Sequence, residues 1–346
     1  MNPWDFQICA PAYITDATLT SSSVPETTVT VWNNATTYGL GDVRGVAGAN
    51  NSQTVCESLQ AANLDHDPAT SPTWWKPLGV VYGAYSGDAT YAAGDIVTDS
   101  HLLYTSAVSD NTDNPLTDTT KWVKQGSTNR WRMFDKTVQT QTVAPRRVSV
   151  TITPGQIVGL VALLNVSGSS ATVSQTLSGY SKTKQLTRHD VLNWFDWYYE
   201  PLSQVTDVVF DDIPPYVAGV LTVTVDNGSI DAGVGCCFVG RTRTIGSTLW
   251  GFEGGVLSYS TISTSAQGVI SMVKRDNAKR LNFEVKIPSG FEDEAFRILR
   301  SVQDTEVIVI GSNAFAMAID YCFIEKWSVP VSNSGKKAAI QTRGLT

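Results

Sequence analysis

W-N-N-A-T-T-Y-G-L-G-D-V (residues 32–43) and Y-S-G-D-A-T-Y-A-A-G-D-I (residues 85–96) are two copies of one unit, and this duplication decides how the rest of the chain is read. Tyr38 matches Tyr91, Gly41 matches Gly94 and Asp42 matches Asp95 at a single common offset. Each copy continues through a polar stretch containing a proline, Pro68 or Pro115, and ends on a tryptophan and a glycine with matched spacing, Trp75 with Gly79 and Trp122 with Gly126. A repeat of this size is a supersecondary module reused for display or spacing. In each copy T-Y-x-x-G-D-[VI] predicts a turn feeding a strand: the tyrosine packs inward, the glycine permits positive φ and the aspartate bonds nearby backbone. Second strands follow at 54–59 and 102–108, and Trp75 and Trp122 read as closers of two small cores.

Working outward, five segments emerge. Residues 1–26 form an N-terminal extended arm whose apolar side chains lack helical periodicity and need another surface, on this chain or a neighbour. Residues 27–79 and 80–126 are the repeats, each near the size at which a lone core is marginal. Residues 127–248 carry strand patterns at 148–153, 157–165, 171–177, 205–210 and 219–225, broken by Pro145, Pro154-Gly155, Pro214-Pro215 and Asn227-Gly228, which predicts a β-sandwich. Residues 249–346 form a C-terminal β-rich assembly domain with strands at 278–287 and 307–310 and one helix. In that helix Phe291, Ala295, Ile298, Leu299 and Val302 share a face, with Ser289 as its cap and acids in its first turn. The fold class is therefore mostly β: two small tandem β modules, a sandwich, and a β-rich domain with one helix.

Composition agrees. The chain has 346 residues, which fits two to four domains. Charged residues make up 16% of it, below the roughly 25% of ordinary soluble proteins. Thr, Ser, Val, Gly and Asn take their place, a mixture suited to pleated surfaces and turns. A net charge of −7 without a run of Lys or Arg argues against nucleic acid as a partner. The apolar run 157–166 is too short for a membrane span, and 307–323 is interrupted by Asn313 and Asp320. No cation precedes Arg44, so the cationic start of a secretory signal is missing. Cys9, Cys56, Cys236, Cys237 and Cys322 are scattered and odd in number, which reads as reduced, buried thiols in a protein folded in a cytoplasm.

Candidate chemistry is sparse. Glu292-Asp293-Glu294 reads as helix-dipole compensation rather than an acid–base site. Asp65-His66-Asp67 and Asp110 to Asn114 occupy equivalent loops and read as turns rather than calcium ligands. His66, His101 and His189 are too dispersed for zinc. Gly251 to Gly255 has no following Lys or helix, and Cys236-Cys237 lacks the flanking cations that would favour a thiolate. No nucleophile elbow, Walker loop or dinucleotide fingerprint occurs. No catalytic residue, metal or cofactor is expected. The aromatic knot N-W-F-D-W-Y-Y-E-P (193–201) leaves three readings open: a sugar groove, a subunit interface, or core packing.

The repeat resembles the small chitin- and cellulose-binding modules attached to glycosidases, on T-Y-x-x-G-D-x-V and the closing W-x-x-x-G. The sugar-binding members of that family carry a tryptophan platform after the second strand. Here the corresponding stretches are C-E-S-L-Q-A-A-N (56–63) and Y-T-S-A-V-S-D-N (104–111), without one. What sugar-binding capacity the resemblance implies falls to Trp32, Trp74 and Tyr85, with Trp74 the ring expected to be exposed. The whole chain is similar to structural proteins of tailed bacteriophages, on I-T-D-A-T-L-T-S-S-S-V-P-E (14–26), T-N-R-W-R-M-F-D (128–135), D-D-I-P-P-Y-V-A-G (211–219) and Y-C-F-I-E-K-W-S-V-P-V (321–331). Asn129, Trp131, Phe134 and Asp135 also resemble the start of galactose-binding-like sandwiches. These resemblances imply a non-enzymatic virion protein of the distal tail, at the tail tip or baseplate, made in the host cytoplasm. It would form a symmetric homo-oligomer, contact other tail proteins and project the repeats, with Trp4, Phe6, Ile8, Trp194 and Trp197 at interfaces. The alternative is a carbohydrate-binding protein whose repeats grip a host surface polysaccharide; a hydrolase comes third.

Overall fold

The computed structural model describes residues 3–188, 191, 193–199, 201–264, 266–268, 270–330 and 337–345. The chain is mostly β. Strands β1 (Asp5–Pro11) and β2 (Leu19–Ser22) come first. The repeats supply β3 (Val43–Ala47), β4 (Ser52–Ser58), β5 (Trp75–Tyr82), β6 (Ile96–Asp99), β7 (Leu102–Ser106) and β8 (Trp122–Ser127). Next come β9 (Thr142–Ala144), β10 (Arg147–Ile152), β11 (Leu160–Ser167), β12 (Ser170–Gln175), β13 (Tyr180–Gln185) and β14 (Thr187–Arg188). Helix α1 (Trp194–Tyr199) leads to β15 (Ser203–Gln204), β16 (Val208–Phe210), β17 (Leu221–Asp226) and the long β18 (Ala232–Thr248). The chain ends with β19 (Glu253–Ser258), β20 (Thr261–Thr264), β21 (Ile270–Val273), β22 (Asn277–Lys286), helix α2 (Glu292–Ser301), β23 (Val307–Ile310), β24 (Ile319–Ser328) and β25 (Lys337–Gly344).

Alternation builds the sandwich. In β10, β12 and β17 every second residue is buried: Val148, Val150 and Ile152; Ala171 and Val173; Leu221, Val223 and Val225. These strands form the middle of a sheet ordered β13-β12-β17-β10-β2, whose apolar face meets β16, β11 and the first half of β18. Burying a Val or Ile side chain contributes about 1.5–3 kcal/mol, so this single layer of contacts is enough to align the two sheets.

β18 then does what the expected domain division did not foresee. Its first half pairs with β11, its second half with β1, and its last two residues with β22. The pairings β18-β1-β23-β24-β25-β22 and back to β18 close six strands into a barrel. Curling needs local relief, and β18 supplies a bulge: Phe6 and Gln7 of β1 face Gly246 and Thr244, leaving Ile245 as the extra residue. A Cβ on Gly246 would lie 2.3 Å from the Lys286 carbonyl oxygen, so only glycine lets the strand turn there. Phe6, Ile8, Leu281, Phe283, Val307, Ile324 and Ile340 fill the barrel, and α2 adds Ala295, Ile298 and Leu299 to that core. The predicted boundary at 248/249 therefore falls at the end of a strand shared by both halves.

Two expectations are corrected. Of the two surfaces open to the N-terminal arm, residues 5–11 take that of their own chain: β1 lies inside the sheet between β18 and β23, with Phe6 and Ile8 buried there and not at a subunit interface. Helix α2 has Phe291, not Ser289, at its N-cap, and no side chain caps it; the acids Glu292, Asp293 and Glu294 do occupy its first turn. A third core, containing Cys9, Leu160, Leu164, Cys236, Phe238, Ile308 and Ile310, welds the sandwich to the barrel wall. Cys236 faces that core and Cys237 the sandwich core. Burial pushes the Cys236 thiol up to about 12, and Cys237 is raised too, so both stay protonated packing groups.

The repeats form separate three-stranded sheets, β3-β4-β5 and β6-β7-β8. Each closing tryptophan opens a third strand that the sequence reading had left out. Ile96 N–H donates to Asn50 O and Asn51 Nδ2 to Ile96 O, which joins one copy to the next. The chain leaves the body at Glu26 and returns at Thr128, whose hydroxyl donates to Glu26 Oε1 at 3.0 Å. The two repeats are thus an insertion whose ends meet.

Candidate functional site

Each repeat spends its aromatic residues on itself. The Tyr38 hydroxyl accepts from Asn33 N–H at 2.8 Å, and that of Tyr91 accepts from Ser86 N–H at 2.8 Å. Asn63 Nδ2 donates to Ser58 Oγ, and Asn111 Nδ2 donates to Ser106 Oγ. Trp75 Nε1 donates to His66 O, and Trp122 Nε1 to Asn114 O. Asp42 Oδ2 accepts from Gly39 N–H, and Asp95 Oδ2 from Ala92 N–H, tightening turns in which Gly41 and Gly94 have φ of +84° and +92°. Tyr38, Tyr91, Trp75 and Trp122 are all buried. The conserved spacing between the copies is therefore the spacing of a hydrogen-bonded core.

The three rings singled out for sugar binding are each half-buried. Trp32 packs on the Tyr38–Trp75 core, and its buried Nε1 has no hydrogen-bond partner. Trp74, expected to be exposed, has one face covered by His66, stacked at 3.7 Å and 15°. Tyr85 holds the position equivalent to Trp32, lies edge-on to Trp122 and donates its hydroxyl to Asn114 O at 2.8 Å. The polar loops of the repeats make turns: Asp65, Asp110 and Asp113 all have positive φ, and Asp67 Oδ1 accepts from Ala69 N–H. Among the described residues no three His, Cys, Asp or Glu side chains gather where they could hold a metal ion. His189 and Glu200 lie outside the described residues.

The aromatic knot has a different character. Asn193 Oδ1 accepts from the N–H groups of Phe195 and Asp196, which starts α1. This six-residue helix lies in the chain between the paired strands β14 and β15 and buries none of its residues. Trp194, Phe195, Trp197, Tyr198 and Tyr199 are between 53% and 77% exposed. They touch chiefly one another: Trp197 on Tyr198 at 4.9 Å, Phe195 on Tyr199 at 4.7 Å. The core-packing reading of this segment is thereby removed, and Trp194 and Trp197 stand where a partner can reach them.

A second ribbon, β20–β21, exposes Ile262, Ile270, Met272 and Val273. Sequence reasoning missed it, although the apolar residues at 270, 272 and 273 after the T-I-S-T-S stretch (261–265) were a signal. Trp4 is half-buried, 5.0 Å from the exposed Trp250 and 5.9 Å from Phe315. Phe6 and Ile8, expected at an interface, are in the barrel core and unavailable to a partner. No helix among the described residues is long and apolar enough to cross a membrane. Neither a scan against protein-family models nor a search of curated proteins finds a match to this chain.

Proposed function

We propose that this chain is a non-enzymatic structural protein of a tailed-phage virion, a component of the distal tail that assembles as a symmetric oligomer and holds its two repeats outward. The observation that carries the reading is the row of exposed rings on α1. Fully buried aromatic side chains each cover about 150–250 Å², so five rings exposed to this degree present roughly 600 Å² of largely apolar surface. Patches beyond a few hundred Å² mark interaction sites, and a standard interface takes about 800 Å² from each partner. The internal hydrogen bonding of the repeats supports their role as spacers, and the phage-like motifs support the setting. The test is native mass spectrometry of the full chain at micromolar concentration beside a Trp194→Ser, Trp197→Ser variant. Wild type should give one closed oligomer and the variant mostly protomers. A wild type that is monomeric throughout would sink the assembly reading.

One observation favours the second reading, recognition of a host surface glycan: two tryptophans of repeat 1, Trp32 and Trp74, keep part of their surface exposed. Both rings pack on the one small core of Tyr38, Cys56 and Trp75. A glycan array probed with wild type and a Trp32→Ala, Trp74→Ala variant separates the two: binding lost in the variant supports recognition, and binding by neither leaves the repeats as spacers.

A further inference from the structure

Two elements of this chain are more exposed than their own stability accounts for. Helix α1 buries none of its six residues and is far shorter than the about 12–15 residues an isolated helix needs in water. The ribbon β20–β21 is a lone two-stranded sheet with every strand residue exposed, and such a hairpin is marginal without a covering surface. Its register gives it two unlike faces. Ile262 stands opposite Met272 and Thr264 opposite Ile270, so Ile262, Ile270 and Met272 share one face, each between 62% and 70% exposed. Ser263 and Ser271 lie on the other face, where their hydroxyls meet at 2.9 Å. The two elements complement each other in kind. α1 offers flat rings; the ribbon offers two isoleucines and a methionine, whose thioether packs favourably on aromatic edges. They also differ in charge. W-F-D-W-Y-Y-E (194–200) has two acids and no cation, whereas β21 runs directly into Lys274 and Arg275, both exposed. The other exposed rings fit less well: Trp4 adjoins Asp5 and Trp250 is followed by Glu253, acids of the same sign as those of α1. A second α1 would bring acid toward acid in the same way, and like charges are penalised across an interface.

We infer, on the assembly reading proposed above, that α1 of one copy seats on the β20–β21 ribbon of the next, its rings on Ile262, Ile270 and Met272 and its acids toward Lys274 and Arg275. Unlike patches meet in this contact, so it is head-to-tail, and repeated rotation from copy to copy closes it into a ring. Each copy then covers both of its exposed elements, its helix on one neighbour and its ribbon on the other. The rings present roughly 600 Å², most of the ~800 Å² that one side of a standard interface takes.

Two variants of the full chain isolate this contact. Trp194→Ser, Trp197→Ser spoils the helix, and Ile270→Ser, Met272→Ser spoils the ribbon. All four residues are exposed, so both variants should melt close to wild type. By native mass spectrometry at micromolar concentration, wild type should be a closed oligomer and each variant alone a protomer. Mixed in equal amounts, the two variants should form a heterodimer and nothing larger, because one intact helix meets one intact ribbon and the other two patches are spoiled. Should either variant melt well below wild type, Phe195→p-benzoylphenylalanine in the otherwise unchanged chain takes its place. On illumination it should crosslink to β20 or β21 of another copy. A monomeric wild type overturns the assembly reading and this contact with it. An oligomeric wild type leaves that reading standing, and the contact alone is overturned by any of three results: a helix or ribbon variant that assembles as wild type does, a mixture that remains protomers, or a crosslink that maps elsewhere.

Discussion

Glu26 shows how much a single side chain can join. Its carboxylate accepts from Thr128 Oγ1 and Trp131 Nε1, both at 3.0 Å; His101 Nδ1 lies 2.7 Å away and an Arg130 nitrogen 3.5 Å away. His101 belongs to repeat 2, and its Nε2 reaches Asp16 at 2.9 Å, so one imidazole ties the insertion to the N-terminal segment. Burial of the ring opposes its charge, but the hydrogen bonds to Glu26 and Asp16 and their negative charges outweigh that, and its pKa lies above 6.5. A base held more basic in the folded state adds stability that is complete below the unfolded pKa and is lost as pH rises through the folded one. The melting temperature should therefore fall as pH climbs upward from about 6.5, and His101→Gln should flatten that limb. In Glu26→Gln, the imidazole titration followed by NMR should move down toward 6.5; an unmoved titration would show that Glu26 is not the partner that matters. Asp320 adds a loss of the same sign at lower pH. With its carboxyl raised from 3.8 to about 7, chiefly by burial, the folded state holds a proton that the unfolded chain has released. Wild type thus loses stability across that interval, and the advantage of Asp320→Asn in thermal unfolding should grow from pH 4 to pH 7 and then level off.

At the scale of elements, helix α2 separates packing from surface. Leu299 is fully buried in the barrel core, whereas Phe296 is exposed and merely abuts Trp327 at 5.1 Å. Urea unfolding of Leu299→Ala should show a loss of about 2–5 kcal/mol, and Phe296→Ala should cost clearly less; equal losses would mean that α2 is not seated as described. Sequence reasoning located strands of two kinds: continuous apolar runs buried on both faces, as in β11 and β23, and strands with one wet face. β10, with V-S-V-T-I, and the L-N-F-E-V part of β22 alternate because one side meets solvent or a polar neighbour. Two that it did not foresee, β1 and the first half of β18, are dry on both faces. In β1, Phe6 and Ile8 enter the barrel while Gln7 and Cys9, on the other side, are buried as well, so the short D-F-Q-I alternation marks no solvent face. β18 hides more completely: its first nine residues are all buried, and its pairing changes partner midway, which no local pattern records. The candidate site divides in the same way. Buried Trp75 and Trp122 were legible because the spacing repeats. The fate of Trp194 to Tyr199 was not, because a cluster of rings reads alike whether it lies inside a core or out in water.

At the scale of the whole molecule, the decisive relation is between the insertion and the body that carries it. Among the described residues no strand of β3 to β8 pairs with a strand of the sandwich or barrel. β1 and β2, which precede the insertion, pair with β18, β23 and β10, which follow it. The body must therefore close over about one hundred residues of intervening chain, and the 3.0 Å contact between Glu26 and Thr128 marks where that closure occurs. Loop-closure entropy grows only with the logarithm of length, so replacing residues 28–126 by a few Gly and Ser residues should leave the body no less able to fold. It loses His101 as a partner of Glu26 but keeps Trp131, Thr128 and Arg130. That shortened chain is expected to unfold cooperatively with intact near-ultraviolet dichroism and, since α1 is untouched, to assemble as the full chain does. Removing residues 1–11 instead should do the opposite. It strips β1 from the middle of the sheet, leaves β18 and β23 with open edges and empties the space of Phe6 and Ile8, so soluble cooperative protein should not be recovered. A molten product from the internal deletion, or a well-folded one from the terminal truncation, would mean that the repeats, not β1, complete the body.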